Sequence, residues 1–200
     1  MRLRKLSKVA VVMAFFLVGC AGPQIKTMTR EKPEVKTLKS TVMASYAGPS
    51  SKIKKKSILA VKGTELLRFE IKGFFNEPMF MLVAKGKKIQ AYFVNENAYF
   101  EGELFDQTSD NLAAIFINQT GKLKFKAKDM EILSSFTAAK DTGAPSTAEF
   151  SAGEYKLVFS FLEPDQGKEL SDEIFEIKVP KNVRRISEQD INRYLSKWSK

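Results

Sequence analysis

Two hundred residues with 44% apolar content are enough for one domain with a real core, and the formal net charge is +10. There is no histidine and a single cysteine, which excludes Ser-His-Asp and Cys-His catalysis, histidine-based zinc sites and an internal disulfide framework. No Gly-x-Ser-x-Gly motif offers another nucleophile, so the expectation is a protein that is not an enzyme and needs neither a cofactor nor a metal ion.

The chain begins with a basic stretch, Met1 to Lys8, followed by an apolar run from Val9 to Val18. Ten residues rise only about 15 Å as a helix, half the hydrocarbon thickness of a bilayer, so residues 1–19 read as a signal peptide. Setting aside Arg2, Arg4, Lys5 and Lys8 of this leader, the remaining net charge is about +6. A surplus of that size suits an anionic membrane surface or an acidic partner. It lacks the interleaved basic and aromatic pattern of a nucleic-acid binder.

Leu17-Val18-Gly19-Cys20 resembles the bacterial lipobox. The resemblance implies that Cys20 becomes a lipidated N-terminus, whose acyl chains contribute roughly 0.8 kcal/mol per buried methylene to anchoring. Ala21 follows in place of the aspartate associated with inner-membrane retention, which by the same resemblance favours the outer membrane, with the domain facing the periplasm. Residues 20–33, with two prolines and little periodicity, read as a tether, and residues 34–200 as one domain.

After a short lead-in, a strand is expected up to Tyr46, closed by Ala47-Gly48-Pro49-Ser50-Ser51, and a second from Ile53 to Val61, with Gly63 turning the chain. The lysines of Lys52 to Lys56 read as protection of a solvated strand edge, in preference to a lipid-headgroup contact. From Leu66 to Gly102 the sequence reads as an antiparallel meander. Leu67, Phe69 and Ile71 alternate with Arg68, Glu70 and Lys72, placing three apolar side chains on one face and three charged ones on the other. Met79 to Ala84 and most of Ile89 to Val94 are apolar on both faces and call for cover on two sides. In the turn Gly73 to Pro78, Phe74 and Phe75 cannot both face one core side, which suggests a hydrophobic tip that enters a membrane or a partner's groove, or rings folded back over the core.

Leu112, Ile115 and Phe116 are spaced for a short amphipathic helix, and a second is expected near Asp129 with Ile132, Leu133 and Phe136 apolar. Thr137 to Gly153 reads as a mobile loop or a weak strand at Thr147 to Phe150. Glu154 to Glu163 returns to strict alternation, with Tyr155, Leu157, Phe159 and Phe161 on one face. A further strand is expected at Ile174 to Val179, with Phe175, Ile177 and Val179 inward, and a C-terminal helix from Ser187 carrying Ile191, Tyr194, Leu195 and Trp198 on one face.

The order of these elements resembles the LolA/LolB superfamily of lipoprotein carriers and receptors, closest to the LolB-like outer-membrane lipoproteins. The residues that carry the resemblance are the Gly-bounded turn Lys72 to Pro78, the apolar strand Met79 to Ala84, the turn into Ile89 to Val94, the aromatic strand Tyr99 to Glu101, the helix Asn111 to Phe116, and FEIKVPKNV from Phe175 to Val183. It covers about two thirds of the chain, by pattern more than by identity. It implies a mainly β (α+β) fold, an unclosed antiparallel half-barrel whose concave side holds acyl chains beneath short helices. It also implies a membrane-inserting protrusion, which here falls on Phe74 and Phe75.

On that basis the acyl-binding interior is expected at Leu67, Phe69, Ile71, Met79, Met81, Val83, Phe159 and Phe161. The implied partners are the membrane, through lipid on Cys20, acyl chains of lipoproteins or lipids, and a periplasmic LolA-like carrier. The expected state is a monomer that binds no nucleic acid. The alternative keeps the fold but makes the protein a structural or scaffolding subunit of an envelope assembly, docking through the sheet edge or the tail helix.

Overall fold

The computed structural model describes residues 37–49, 51–103, 112–118, 122–127, 130–187 and 190. The leader, Cys20, the tether and the apolar stripe of the expected tail helix, Ile191 to Trp198, lie outside them. The described chain is mostly β, a single large sheet that does not close on itself. Two long strands, β1 (Thr37–Gly48) and β2 (Ser51–Lys62), open it and pair along their whole length, from Thr37 opposite Lys62 to Gly48 opposite Ser51. The meander continues through β3 (Leu66–Lys72), β4 (Pro78–Lys85), β5 (Lys88–Phe93) and β6 (Ala98–Glu103).

A helix, α1 (Leu112–Asn118), precedes a second meander of β7 (Lys122–Ala127), β8 (Met130–Ala138), β9 (Pro145–Ala152) and β10 (Tyr155–Phe161). The two meanders are joined where β10 pairs with the free side of β1, Val42 opposite Phe161 and Ala47 opposite Lys156. The chain then bends and runs on along β1 as the two-residue β11 (Asp165–Gln166). The last strand among the described residues is β12 (Arg184–Arg185), parallel to β6, and every other pairing among them is antiparallel.

Alternation decides which side chains meet. Across the sheet Phe93, Phe80, Ile71, Ser57, Val42 and Phe161 stand opposite one another in turn and share one face. With Leu59, Leu67, Phe69, Leu82, Phe100 and Phe150 they form the inner side, which α1 covers with Ala113, Ile115 and Phe116. On the opposite face a smaller cluster of Ala60, Val83, Leu170 and Phe175 is built where residues 170–177 lie across β3 and β4. That strap is the second cover that β4, apolar on both faces, calls for.

Two expectations are corrected and one is extended. The segment with Ile132, Leu133 and Phe136 is not a helix but β8. Its apolar residues also fit a period of two, with Ser134 and Phe136 on the inward parity and Leu133 exposed, and the Ser-Ser-Phe-Thr run disfavours a helix. Of the two readings of Thr137 to Gly153 the strand is the one found, and it is longer than Thr147 to Phe150: β9 runs over Pro145–Ala152 with Ala148, Phe150 and Ala152 buried, because small residues alternate there as strictly as large ones do elsewhere. Ile174 to Val179 is not a strand. Asp172–Phe175 is a 3-10 turn started by Ser171, whose hydroxyl accepts from the Glu173 amide. Phe175 is fully buried on the outer face, Ile177 is half-buried and Val179 is exposed.

Candidate functional site: inner face and aromatic tip

Four of the expected interior residues, Leu67, Phe69, Phe159 and Phe161, are buried on the inner face, and Ile71 packs against the same cluster. Phe69 and Phe159 meet edge to face at 5.5 Å. Met79, Met81 and Val83 do not line this interior. They sit on the outer parity of β4, where Val83 packs with Phe175 and the Met81 sulfur accepts from Nη2 of Arg68 at 3.1 Å. The inward residues of β4 are instead Phe80, Leu82 and Ala84.

The cause is local. A register shift between Ile71 and Lys72 pairs Lys72 with Pro78, and in a strand apolar on both faces no side-chain pattern reveals which parity faces in. Phe80, Phe93, Phe100 and Phe150 are the interior residues of the sheet that sequence reasoning missed. The available signal was the pairing itself: once Ile71 is set opposite Phe80, the other inward positions follow.

Phe116 of α1 occupies the centre of the inner face. Its ring lies 5.8 Å from Phe159, 5.7 Å from Phe150 and 6.1 Å from Phe136, an aromatic nest drawn from β8, β9 and β10. A seven-residue helix is too short to be stable alone, so this packing is what holds it. The interior is lined by ring faces, ring edges and short aliphatic groups, with Ser57 among the few polar side chains. Such a surface is chemically suited to contact with a chain of methylenes.

The tip lies at one end of the sheet, between β3 and β4. Phe74 and Phe75 are 93% and 85% exposed, their rings at right angles with centroids 5.1 Å apart. The backbone closes beneath them, the Gly73 amide donating to the Glu77 carbonyl at 2.7 Å and the Asn76 amide to the Gly73 carbonyl at 3.2 Å. Asn76 takes the left-handed conformation, φ 65°, which asparagine tolerates. The Glu77 carboxylate folds over Gly73 into the space a Cβ would need, so a larger residue there would displace it. The rings are therefore held outward by the turn and have no core beneath them.

The charged side of β3 is not a solvent face. Arg68, Glu70 and Lys72 are largely buried, Arg68 against the strap, and Glu70 accepts from both cations. Burial pushes the Glu70 carboxyl up, but hydrogen bonds from Lys72 and Arg68, with their charges, outweigh it and hold the group below its ordinary range. Near β12, burial and the Glu101 charge raise the Tyr99 phenol, against the opposing effect of Arg185, whose guanidinium lies 5.8 Å over the ring.

Cys20 lies outside the described residues. No three carboxylate or cysteine groups converge among the described residues as a metal site would require.

No protein-family model matches the sequence, and no curated protein does either. Among solved structures, the chain is similar to an uncharacterized conserved protein from Thermus thermophilus, with a TM-score of 0.44 and 13% identity, covering 76% of this chain and 90% of that one. It is similar to a LolA superfamily protein from Nitrosomonas europaea, with a TM-score of 0.39, 12% identity and coverage of 73% and 92%. A DUF1329 family protein from Desulfovibrio piger gives 0.40 and 10% over 72% and 91%. At scores this low these are likenesses and assign no family.

Proposed function

We propose that this chain is a membrane-anchored lipoprotein of LolB-like type that binds acyl chains on the inner face of its half-barrel and helps receive or insert lipoproteins or lipids at the outer membrane. The observation that carries the reading is the pair of exposed rings, Phe74 and Phe75, held outward at the turn end of a sheet whose inner face is largely apolar. Two adjacent exposed phenylalanines have no stabilising role in the fold and suit a bilayer interface. Acyl chains would enter against α1, which covers the inner face through few side chains and would act as a lid. Transfer would run downhill by relative affinity, without covalent chemistry, cofactor or metal. Lipid on Cys20 would hold the domain on the periplasmic side of the outer membrane.

The test is a fluorescent fatty-acid probe displaced by a triacylated lipopeptide, followed by delivery of that lipopeptide to vesicles. Saturable displacement is expected, and Phe75→Glu should abolish delivery while the melting profile stays within about 0.5 kcal/mol of the parent. No displacement would overturn the reading. Acyl chains released with Cys20 from the membrane-extracted chain, and lost in Cys20→Ala, test the anchor.

The structural-subunit reading stands second. Among the described residues β7 ends the sheet with one side unpaired, and a partner strand could add there. Lys122, Lys124 and Lys126 alternate along it, a pattern that opposes strand addition and ranks this reading below the first.

A further inference from the structure

The inner face has two halves, and the described elements place a roof over one of them. α1 packs on β2 and β3 and sets Phe116 among the rings of β8, β9 and β10. The strap lies on the outer face. On the inner parity of β5 and β6, Ile89, Ala91, Phe93 and Ala98 nevertheless have no exposed surface. Neighbouring rings can hide an alanine between strands, but a phenylalanine standing on a sheet keeps its far edge in water unless another element lies over it.

The chain itself brings such an element to this place. β12 carries the alternation of the sheet past β6: Arg185 lies over the Tyr99 ring, and Ile186, whose amide donates to the Tyr99 carbonyl at 2.9 Å, packs against the inner cluster. Ser187 follows. Asp190 accepts from its amide at 3.0 Å and its hydroxyl at 2.7 Å, the returning half of a capping box that starts a helix at the β6 edge. Beyond it Ile191, Tyr194, Leu195 and Trp198 recur at i, i+3, i+4 and i+7, with polar and charged residues between them. A helix continued from Ser187 reaches Trp198 after about 17 Å, against about 10 Å across the sheet from β6 to β4. The connection from β6 to α1, residues 104–111, is a poorer roof, with Leu104 and Phe105 followed only by Asp-Gln-Thr-Ser-Asp-Asn.

We infer that residues 188–200 are a resident plug, seated as a helix across the inner side of β4 to β6 with the apolar stripe down, and that an acyl chain takes this place by displacing them. The inference rests on the acyl-binding reading above and adds its regulation. A seated plug keeps the apolar floor from water in the free protein. It also weakens cargo binding in proportion to the fraction of molecules in which the floor is free. β12 holds the segment by two ladder residues, so it lifts without opening the meander.

Trp198 is the chain's only tryptophan and reports on the seat. The experiment uses the chain from residue 20 onward with Cys20→Ala, so that neither leader nor covalent lipid enters the groove. In the free protein Trp198 should emit as a buried indole and be quenched by acrylamide several-fold less than in Leu195→Asp, which breaks the stripe. Ala91→Leu, on the inner parity of β5, should raise the quenching, and Gln90→Leu, on the outer parity of the same strand, should not. Ala91→Val serves where Ala91→Leu fails to fold. Equal quenching in the parent and Leu195→Asp overturns the inference, as does quenching indifferent to the residue at 91. Dodecanoic acid is then titrated, with binding read by displacement of the fluorescent fatty-acid probe. Quenching of Trp198 should rise in step with binding, and Leu195→Asp should bind several-fold more tightly than the parent. Binding that leaves Trp198 protected overturns displacement. No binding in any variant, with Trp198 protected and sensitive to the residue at 91, refutes the acyl-binding reading and leaves the seat standing.

Discussion

Arg68 and Glu70, two residues apart on β3, grip each other on the outer face: Nε and Nη2 of Arg68 donate to one carboxylate oxygen of Glu70 at 3.1 and 2.7 Å. The same guanidinium uses Nη1 to reach the carbonyls of Ile174 and Glu176 at 3.0 and 3.1 Å. One side chain therefore neutralises a buried carboxylate and pins the strap that buries Phe175. A second tie lies at the start of the strap, where Lys62 donates to the Leu170 carbonyl at 2.9 Å and to Asp172 at 2.6 Å.

Arg68→Met should leave Glu70 with Lys72 alone and two strap carbonyls without their donor. Leaving buried polar groups unpaired costs about 1–3 kcal/mol, and more when a charge is among them. Urea unfolding should show a loss in that range, and limited proteolysis should cut within residues 168–180 faster than in the parent. An unchanged cleavage pattern would mean that Phe175 alone holds the strap.

Glu70 also predicts acid sensitivity. Its folded pKa lies below the ordinary value near 4.5, so its ionised form stabilises the fold fully above that value. The contribution disappears as pH falls from about 4.5 through the lower folded pKa. Stability measured from pH 7 to pH 3 should decline less steeply in Glu70→Gln than in the parent, with the two curves approaching at the acid end. Parallel curves would assign the decline to other carboxylates.

The parity of β4 separates what the sequence could reveal from what it could not. In β3 a charge stands at every second position, so Leu67, Phe69 and Ile71 were legible as one face. In β4 both faces are apolar, and the choice of Met79, Met81 and Val83 over Phe80, Leu82 and Ala84 turned on a bulge at Lys72 that alternation does not record. The outer cover was illegible for a related reason: Phe175 lies on a 3-10 turn in a segment whose period of two imitates a strand. In β8, Ile132, Leu133 and Phe136 fit a helix as well as a strand, and only the partners on either side decide between them. Leu112, Ile115 and Phe116 carried no such ambiguity, and α1 is where their spacing puts it. The tip was legible as an anomaly, two rings in a turn, whereas its distance from any core needed the structure.

That parity can be tested directly. Leu82→Ala should cost about 2–5 kcal/mol and alter fatty-acid probe binding, since Leu82 is fully buried on the inner face. Met79→Ala, on the half-buried outer parity, should cost less and leave probe binding unchanged. Equal effects on probe affinity from the two would mean that acyl chains are not bound on the inner face.

Phe116 bears on how an acyl chain could enter. Its ring occupies the position among Phe136, Phe150 and Phe159 that a guest chain would need, so binding and helix packing compete for one surface. Phe116→Ala removes the competitor. The truncation should lower stability by about 3–5 kcal/mol, with Phe116→Leu falling between it and the parent. Because the free protein loses packing that the bound protein would surrender anyway, the probe should bind Phe116→Ala several-fold more tightly than the parent, in the order Ala, Leu, Phe. Titration at a temperature where all three remain folded checks the order. Equal affinity across the series would mean that α1 stays in place and that the chain is bound elsewhere on the sheet; weaker binding in the Ala variant would make Phe116 a wall of the site instead of its lid.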